Sequence, residues 1–203
     1  MSRKWVRWTV IILGGLVLVL VVAVAGLYGI GTARANQAYE VSVAVPPIPG
    51  DAAAIQRGEH IATTIGLCKR CHGENLGGKV DFAVPGLVTI PTPNLTSGAG
   101  GIGSQYTDED WVRAIRHGVG RDGRALMLMT SSAFYYLGEE DLGALSAYVK
   151  SVPPVDNVLP ERRIDLLGRL MMAVGMFPPA AADQIDHTTP PPAAPEAGVT
   201  ADY

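Results

Sequence analysis

The chain has 203 residues, of which 48% are hydrophobic and 17% charged, with 16 Lys and Arg against 19 Asp and Glu. The low charged fraction, together with 24 Gly and 15 Pro, excludes a coiled coil and a wholly disordered chain and fits one modest domain with additional segments. Residues 36–203 hold 12 basic and 19 acidic residues, a net charge of −7. This balance argues against nucleic-acid binding, which requires a basic face.

An uncharged apolar stretch over residues 9–32 exceeds the ~20 residues that a helix needs to cross a membrane. We therefore predict a basic stub and transmembrane anchor over residues 1–33. Arg3, Lys4 and Arg7 precede the stretch, whereas only Arg34 follows closely, so the N-terminus is expected in the cytoplasm and the remainder outside.

A cleaved secretory signal is the alternative, because Ala33-Arg34-Ala35 resembles a signal-peptidase site. The apolar stretch is longer than the 7 to 15 residues of an ordinary signal sequence, which favours a retained anchor. Under either interpretation the rest of the chain is exported.

The residues after the anchor predict a linker followed by helices. Residues 34–50 are Pro-rich, and Asp51 can cap a helix that ends at Gly66. Residues 73–106 contain eight Gly and are expected to form loop rather than sheet.

Two more helices are signalled further along the chain. Thr107 followed by three carboxylates predicts a helix that ends at Gly118, and Gly138 opens another that ends before Pro153. No convincing strand alternation occurs, so we expect an all-α domain. Its few large apolar side chains imply that something else must complete the core.

Both cysteines of the chain lie in Cys68-Lys69-Arg70-Cys71-His72, and Cys-x-x-Cys-His is the attachment pattern of c-type haem. Two thiols three positions apart on one helical turn can each form a thioether to a haem vinyl group. The adjacent imidazole can then bind the iron on the same face. The pattern predicts one haem c, covalently bound through Cys68 and Cys71, with His72 as an axial ligand.

Three other interpretations of the motif are weaker. An exported compartment would allow a Cys68–Cys71 disulfide, and a thioredoxin motif would need a βαβ context. A zinc site would need four ligands, and only three further histidines are present, His60, His117 and His187, with no ligand-like pairing.

The second axial ligand is expected to be a thioether from the segment after Gly123. Met129 and Met127 both lie there, and His117 is a weaker alternative. The remaining methionines of the exported region are better explained as core or membrane contacts; these are Met171, Met172 and Met176.

The order of motifs resembles class I c-type cytochromes, most closely the mono-haem domains of the cytochrome subunits of membrane-bound bacterial alcohol and gluconate dehydrogenases. The resemblance covers about residues 51–155. It rests on the following segments: Cys68–Gly73, Pro93–Thr96, Gly101–Gly103, Tyr106–Trp111, Ala114–Val119, Gly123–Met129, Leu137–Leu142 and Ala147–Val149.

The resemblance implies a fold in which the first and last helices cross, with Gly58 and Tyr148 at the close contact. Family loops place the ligand Met about eight residues before the Leu that matches Leu137, which indicates Met129. Thr130 stands where the family usually has Pro, so Met127 remains an alternative.

The family also implies two further features around the haem. Trp111 is a candidate for ring packing near the haem, although general core packing explains it equally well. The proximal His of the family commonly donates its N–H to a Pro carbonyl, and Pro85 or Pro93 can supply it.

Residues 156–178 include an apolar run that predicts one amphipathic helix, either packed on the haem domain or resting on a membrane or partner. Residues 179–203 are Pro-rich and predict an extended, linker-like tail. In relatives such a stretch can open a second haem domain, so we expect either a truncated two-domain form or a tail that docks on a partner.

The predicted function is single-electron transfer by a mono-haem cytochrome that residues 9–32 anchor in a bacterial inner membrane, with the haem domain on the periplasmic face. Its expected partners are redox proteins of a respiratory or photosynthetic chain, or of a dehydrogenase complex. Two alternatives are a haem sensor or peroxidase-like protein with a displaceable distal ligand, and a structural subunit of an electron-transfer complex. Under the leading prediction the chain is not itself an enzyme.

Overall fold

A 33-residue helix, α1 (Arg3–Ala35), opens the part of the chain that the computed structural model describes, which is residues 3–189. At 1.5 Å per residue α1 is about 50 Å long. Apolar side chains are exposed along most of its length. Among the described residues it is the one helix long and apolar enough to cross a membrane. The span predicted over residues 9–32 lies wholly within it.

Two units make up the described chain. The first contains the described residues of Met1–Gln37 together with Val84–Val88 and Arg163–Pro178. The second contains Ala38–Ala83, Thr89–Arg162 and the described part of Pro179–Tyr203.

The second unit is mainly helical, as predicted. Its helices are α2 (Ala52–His60), α3 (Cys68–His72), α4 (Asp108–His117), α5 (Ser131–Phe134) and α6 (Glu139–Ser151). One turn of π-helix, Ile61–Ile65, continues α2, and the Gly66 N–H donates to the Ile61 carbonyl at 2.7 Å.

The predicted helix starts are confirmed. The Asp51 carboxylate accepts a hydrogen bond from the Ala54 N–H at 3.0 Å. Thr107 and Asp110 form a reciprocal capping box, in which the Thr107 hydroxyl accepts from the Asp110 N–H and the Asp110 carboxylate from the Thr107 N–H. Gly118 ends α4 in the left-handed region at φ 66°, where a residue without a β-carbon is favoured.

The expectation of an all-α domain without sheet was wrong. Strands β1 (Lys79–Val84) and β2 (Val88–Thr92) form a hairpin, and β3 (Arg163–Ile164) adds a short third strand in the order β1-β2-β3. The burial of β2 alternates strictly along the strand, while every residue of β1 is exposed. A hairpin with one exposed strand buries too few side chains to stand out among the surrounding glycines.

The core of the second unit lies where α2 crosses α6. A β-carbon added to Gly58 would lie 2.0 Å from the Ala144 carbonyl oxygen and 2.7 Å from Tyr148 Cβ, so the two backbones touch at this point. The close contact expected of Gly58 and Tyr148 is confirmed. The buried core side chains around it include Ile61, Leu76, Trp111, Val112, Ile115, Phe134, Leu142 and Leu145.

The segments after α6 differ from their predictions. The apolar run within residues 156–178 forms a shorter helix than expected, α7 (Leu166–Ala173), which belongs to the first unit. Residues 181–184 form one 3-10 turn, with Ala181 and Ala182 buried, rather than an extended linker. Within the second unit, the small side chain of Ala182 packs with Val41 and Val119. Residues 190–203 of the predicted tail lie outside the described part of the chain.

Candidate functional site

A cavity in the second unit brings the chemistry-bearing residues of the sequence together. Its wall is largely apolar and is built from α3, α4, α6 and the loop between α4 and α5. Of the predicted site residues, the following line it: Cys68, Cys71, His72, Pro93, Trp111, Met127 and Met129.

The helix α3 presents both cysteines and His72 to this cavity. It is a single turn, entered through Leu67 and left through Gly73, both at positive φ (49° and 83°). The turn at Leu67 separates α3 from the helix before it, and the turn at Gly73 separates α3 from the segment after it. Burial raises the pKa of the Cys68 thiol to about 11, so without a bound group it stays protonated at neutral pH.

The His72 imidazole is buried, and its Nδ1 lies 2.9 Å from the Pro93 carbonyl oxygen. Burial lowers the pKa of His72, although the hydrogen bond to Pro93 opposes this shift, so the ring is neutral at neutral pH. Because a carbonyl can only accept, Nδ1 carries the proton and donates. The other nitrogen, Nε2, is then the unprotonated one that can bind a metal.

Pro85, the other proline considered for this role, lies in the turn between β1 and β2 and does not line the cavity. Pro93 directly follows β2 and is held by its neighbours. The Thr92 hydroxyl lies 2.6 Å from the Cys71 carbonyl oxygen, and the fully buried Asn94 donates to the Val155 carbonyl at 2.7 Å. Neither Thr92 nor Asn94 was predicted to have a role from the sequence, although Asn94 lies in the Pro93–Thr96 segment that carries the resemblance.

The methionine loop, residues 126–131, is hydrogen-bonded at both ends to α4 or to the glycine that ends it. The Leu126 N–H donates to the Gly118 carbonyl at 2.7 Å, and the buried Ser131 hydroxyl donates to the Ala114 carbonyl at 3.0 Å. Met127 and Met129 therefore face the cavity from a closed loop. Met129 packs against the main hydrophobic core.

Trp111 is 3% exposed, lines the cavity and packs against Tyr106 with ring centroids 5.0 Å apart. Its indole Nε1–H has no hydrogen-bond partner among the described residues. A buried donor without a partner is costly, and here it borders the site that would receive a cofactor. The two roles considered for Trp111, core packing and cofactor packing, are thus compatible.

His117, the weaker candidate for the second axial position, does not line the cavity. Its Nδ1 lies 3.0 Å from Nδ1 of His187, and its ring meets that of Tyr135 edge to face. The His117 imidazole thus interacts with His187 and Tyr135 rather than with the cavity.

The donor set of the cavity fits a c-type haem. Two thiols, an oriented neutral imidazole and thioethers on a separate loop are the groups that attach and ligate such a haem. The apolar wall suits a porphyrin, and the Trp111 N–H offers a donor to one of its polar substituents. No group of three or more His, Cys, Asp or Glu side chains that would suit a bare metal ion occurs in residues 3–189.

Comparison with known proteins agrees with this chemistry. Residues 55–153 match the family model of cytochrome c. The alcohol dehydrogenase (quinone) cytochrome c subunit of Gluconacetobacter polyoxogenes is 33% identical over 129 residues, which is 60% of this chain and 26% of the relative. The fructose dehydrogenase cytochrome subunit of Gluconobacter japonicus is 32% identical over 157 residues, 70% of this chain and 32% of the relative.

The gluconate 2-dehydrogenase cytochrome c subunit of Pantoea cypripedii is 35% identical over 112 residues, 51% of this chain and 24% of the relative. This chain therefore spans about a quarter to a third of the length of these relatives. The resemblance drawn from the motifs is confirmed, and the Cys-x-x-Cys-His spacing within the matched region is that of one covalently bound haem c.

Proposed function

Residues 55–153 belong to the cytochrome c family, and from this premise we propose that the chain passes single electrons between redox proteins as a membrane-anchored cytochrome subunit of a dehydrogenase complex. The matched relatives are named as cytochrome subunits of alcohol, fructose and gluconate dehydrogenases. In this role the chain supplies no substrate chemistry. The oxidation takes place on a separate catalytic subunit, whose electrons it accepts.

Haem iron supplies the chemistry of the proposal, because it alternates between the ferric and ferrous states. The chain's own residues hold that group. Cys68 and Cys71 would tether it, and His72 would bind its iron through Nε2. The Pro93 carbonyl keeps the proton on Nδ1 and fixes the plane of the imidazole, as expected of a group that orients a metal ligand.

We assign the second axial position to Met129 rather than Met127. Both line the cavity, but Met129 packs against the hydrophobic core, so its side chain is held in place. A fixed methionine and histidine leave no open position for substrate, and this pair raises the reduction potential. Such a site favours electron transfer over ligand binding.

The proposed anchor is α1, crossing the bacterial inner membrane with Arg3, Lys4 and Arg7 on the cytoplasmic side and residues 51–155 as the haem domain on the periplasmic side. Residues 34–50 connect the two. Tethering raises the effective concentration of the carrier near its membrane-bound partners without requiring tight binding.

The observation that carries the proposal is the convergence of Cys68, Cys71, His72 and Met129 on one cavity. The test is an optical spectrum of the purified full-length protein in the oxidised form, the reduced form, and the reduced form under carbon monoxide. We expect a c-type spectrum with one haem per chain and no shift with carbon monoxide. A ready shift would overturn the carrier function in favour of a ligand-binding haem protein.

A further inference from the structure

The helix α7 carries a continuous apolar face. With about 100° between successive residues, Leu166, Leu167, Leu170 and Met171 share an arc of about 140°, and Val174 follows directly at the C-terminal end of the helix. Three of these side chains are largely exposed: Leu166 (55%), Leu167 (56%) and Val174 (58%). Exposed large apolar side chains that adjoin one another mark a surface that something covers.

The first unit fixes α7 against the C-terminal end of α1. A β-carbon added to Gly31 would lie 1.9 Å from the Arg169 carbonyl oxygen, so the absence of a side chain there permits the contact. The Arg34 guanidinium donates to the Met172 carbonyl at 2.8 Å, and that of Arg169 donates to the Thr32 hydroxyl at 3.1 Å.

The opposite face of α7 is also occupied within the first unit. A β-carbon on Gly168 would lie 2.4 Å from the Leu87 carbonyl oxygen, and Met172 is buried. The side of α7 that contains Gly168 and Met172 is therefore covered by other residues of the first unit. The arc that contains Leu166 and Leu167, with Val174 after it, is the side left exposed.

The position of α7 along α1 sets its level relative to a bilayer. The hydrogen bonds from α1 to α7 involve Thr32 and Arg34 in the last turn of α1, and Tyr28 lies one turn earlier. These residues follow the purely apolar side chains of the preceding turns. The Arg169 guanidinium lies over the Tyr28 ring at 5.4 Å from its centroid. Tyrosine and arginine at the end of a span are the residues that sit among lipid headgroups.

We infer that α7 is an interfacial helix whose exposed leucine face lies in the outer boundary of the same bilayer that α1 crosses. The inference rests on the proposed membrane anchor. The face adjoins the apolar surface of α1 in one compact unit, and a helix at headgroup level buries such a face about 5–10 Å into the boundary between headgroups and acyl chains. The molecules that cover this exposed face are therefore membrane lipids.

Together α1 and α7 form a two-part membrane element, one helix across the bilayer and one along it. The hydrogen bonds of Arg34 and Arg169 connect the two helices. A single spanning helix can rotate and tilt freely, whereas a second helix along the surface restricts both motions. The element therefore restricts the rotation and tilt of the anchor.

The test uses the full-length haem protein in phosphatidylcholine vesicles that contain phosphatidylglycerol. Because both native cysteines are consumed by the haem, a new cysteine is the only free thiol and can carry a polarity-sensitive fluorophore. The labelled variants are Leu167→Cys and Val174→Cys on the exposed face, Leu18→Cys in the middle of α1, and Glu140→Cys as an exposed site of the second unit. Each is quenched by doxyl-labelled lipid and, separately, by iodide.

We expect doxyl lipid to quench the labels at Leu167 and Val174 several-fold more than the label at Glu140, and iodide to show the reverse order. Iodide quenching at Leu167 and Val174 without lipid quenching would overturn the inference. Shielding from both quenchers would also overturn it, because a protein would then cover the face. If the Leu18 label is also untouched by lipid, the proposed membrane span itself fails, which separates the two outcomes.

Discussion

The hydroxyl of Ser131 donates a hydrogen bond to the carbonyl oxygen of Ala114 at 3.0 Å, and this bond connects the methionine loop to α4. Ser131 is fully buried, while Ala114 lines the cavity. At the other end of the loop, Leu126 is bound to Gly118. Thr130, the residue directly after Met129, therefore lies in a loop that hydrogen bonds close at both ends.

Ser131→Ala should loosen this loop. The loss of one buried hydrogen bond lowers the free energy of unfolding by about 1 kcal/mol. Since Met129 lies two residues away, we also expect carbon monoxide to bind the reduced protein faster than in the parent. Urea unfolding and stopped-flow carbon monoxide binding measure the two effects. Ser132→Ala, which removes the neighbouring, partly exposed hydroxyl, is the matched control, and equal behaviour of both variants would contradict the role of Ser131.

Met129→Ala should abolish the weak sulfur-to-iron absorption band at the red end of the ferric spectrum. The reason is that the thioether of Met129, held against the core, is the proposed sixth ligand. Met127→Ala removes a thioether from the same loop and the same cavity, and should leave the band in place. The reverse result, with the band lost only in the Met127 variant, would move the ligand to Met127.

Gly58→Ala should destabilise the domain even though alanine is the better helix former by about 1 kcal/mol. The new methyl group would lie 2.0 Å from the Ala144 carbonyl oxygen, which belongs to backbone and cannot swing aside. Overpacking of this kind costs about 1–3 kcal/mol, so a net loss of stability is expected. Gly50→Ala, at a position with open space, is the control in urea unfolding. A Gly58→Ala protein as stable as the parent would show that the helices can separate without cost.

Helix boundaries were predictable because their signals are local. Asp51 and Thr107 bond to backbone groups three residues away, and Gly118 ends α4 through its own φ angle. The hairpin was missed although Val80, Phe82 and Val84 alternate with other residues in β1. This alternation lies on an exposed strand between glycines, so it does not mark a buried face in the usual way.

In the candidate site, too, the residues that depend on local sequence were predictable and those that depend on long-range contacts were not. The residues of the attachment motif are adjacent in sequence, and α3 alone positions them. The choice between Pro85 and Pro93 depends instead on how a loop 21 residues away folds back, and Asn94 fixes that loop through Val155, 61 residues further along. Spacing along the chain carries no information on such contacts. The same holds for His117 and His187, which are 70 residues apart.

The pairing of His117 with His187 predicts a loss of stability in acid. His187 Nε2 lies 3.1 Å from the Ala182 carbonyl oxygen and donates to it, while its Nδ1 lies 3.0 Å from Nδ1 of His117. Burial, then the nearby His187 and Arg116, lowers the pKa of His117 to about 4. An unfolded histidine titrates near pH 6.5. Between pH 6.5 and about 4, His117 is therefore protonated in the unfolded chain but remains neutral in the folded chain.

The stabilisation from neutral His117 is thus complete above about pH 6.5 and is lost as the pH falls towards 4, by at most about 3 kcal/mol. Urea unfolding of the haem protein at neutral pH and at about pH 4.5 measures this loss. His117→Gln should reduce the difference between the two conditions, because the substituted side chain does not titrate. His60→Gln, on the exposed surface of α2, should leave the difference at its parent value. An equal acid sensitivity in all three proteins would mean that carboxylates, rather than this histidine pair, control stability in acid.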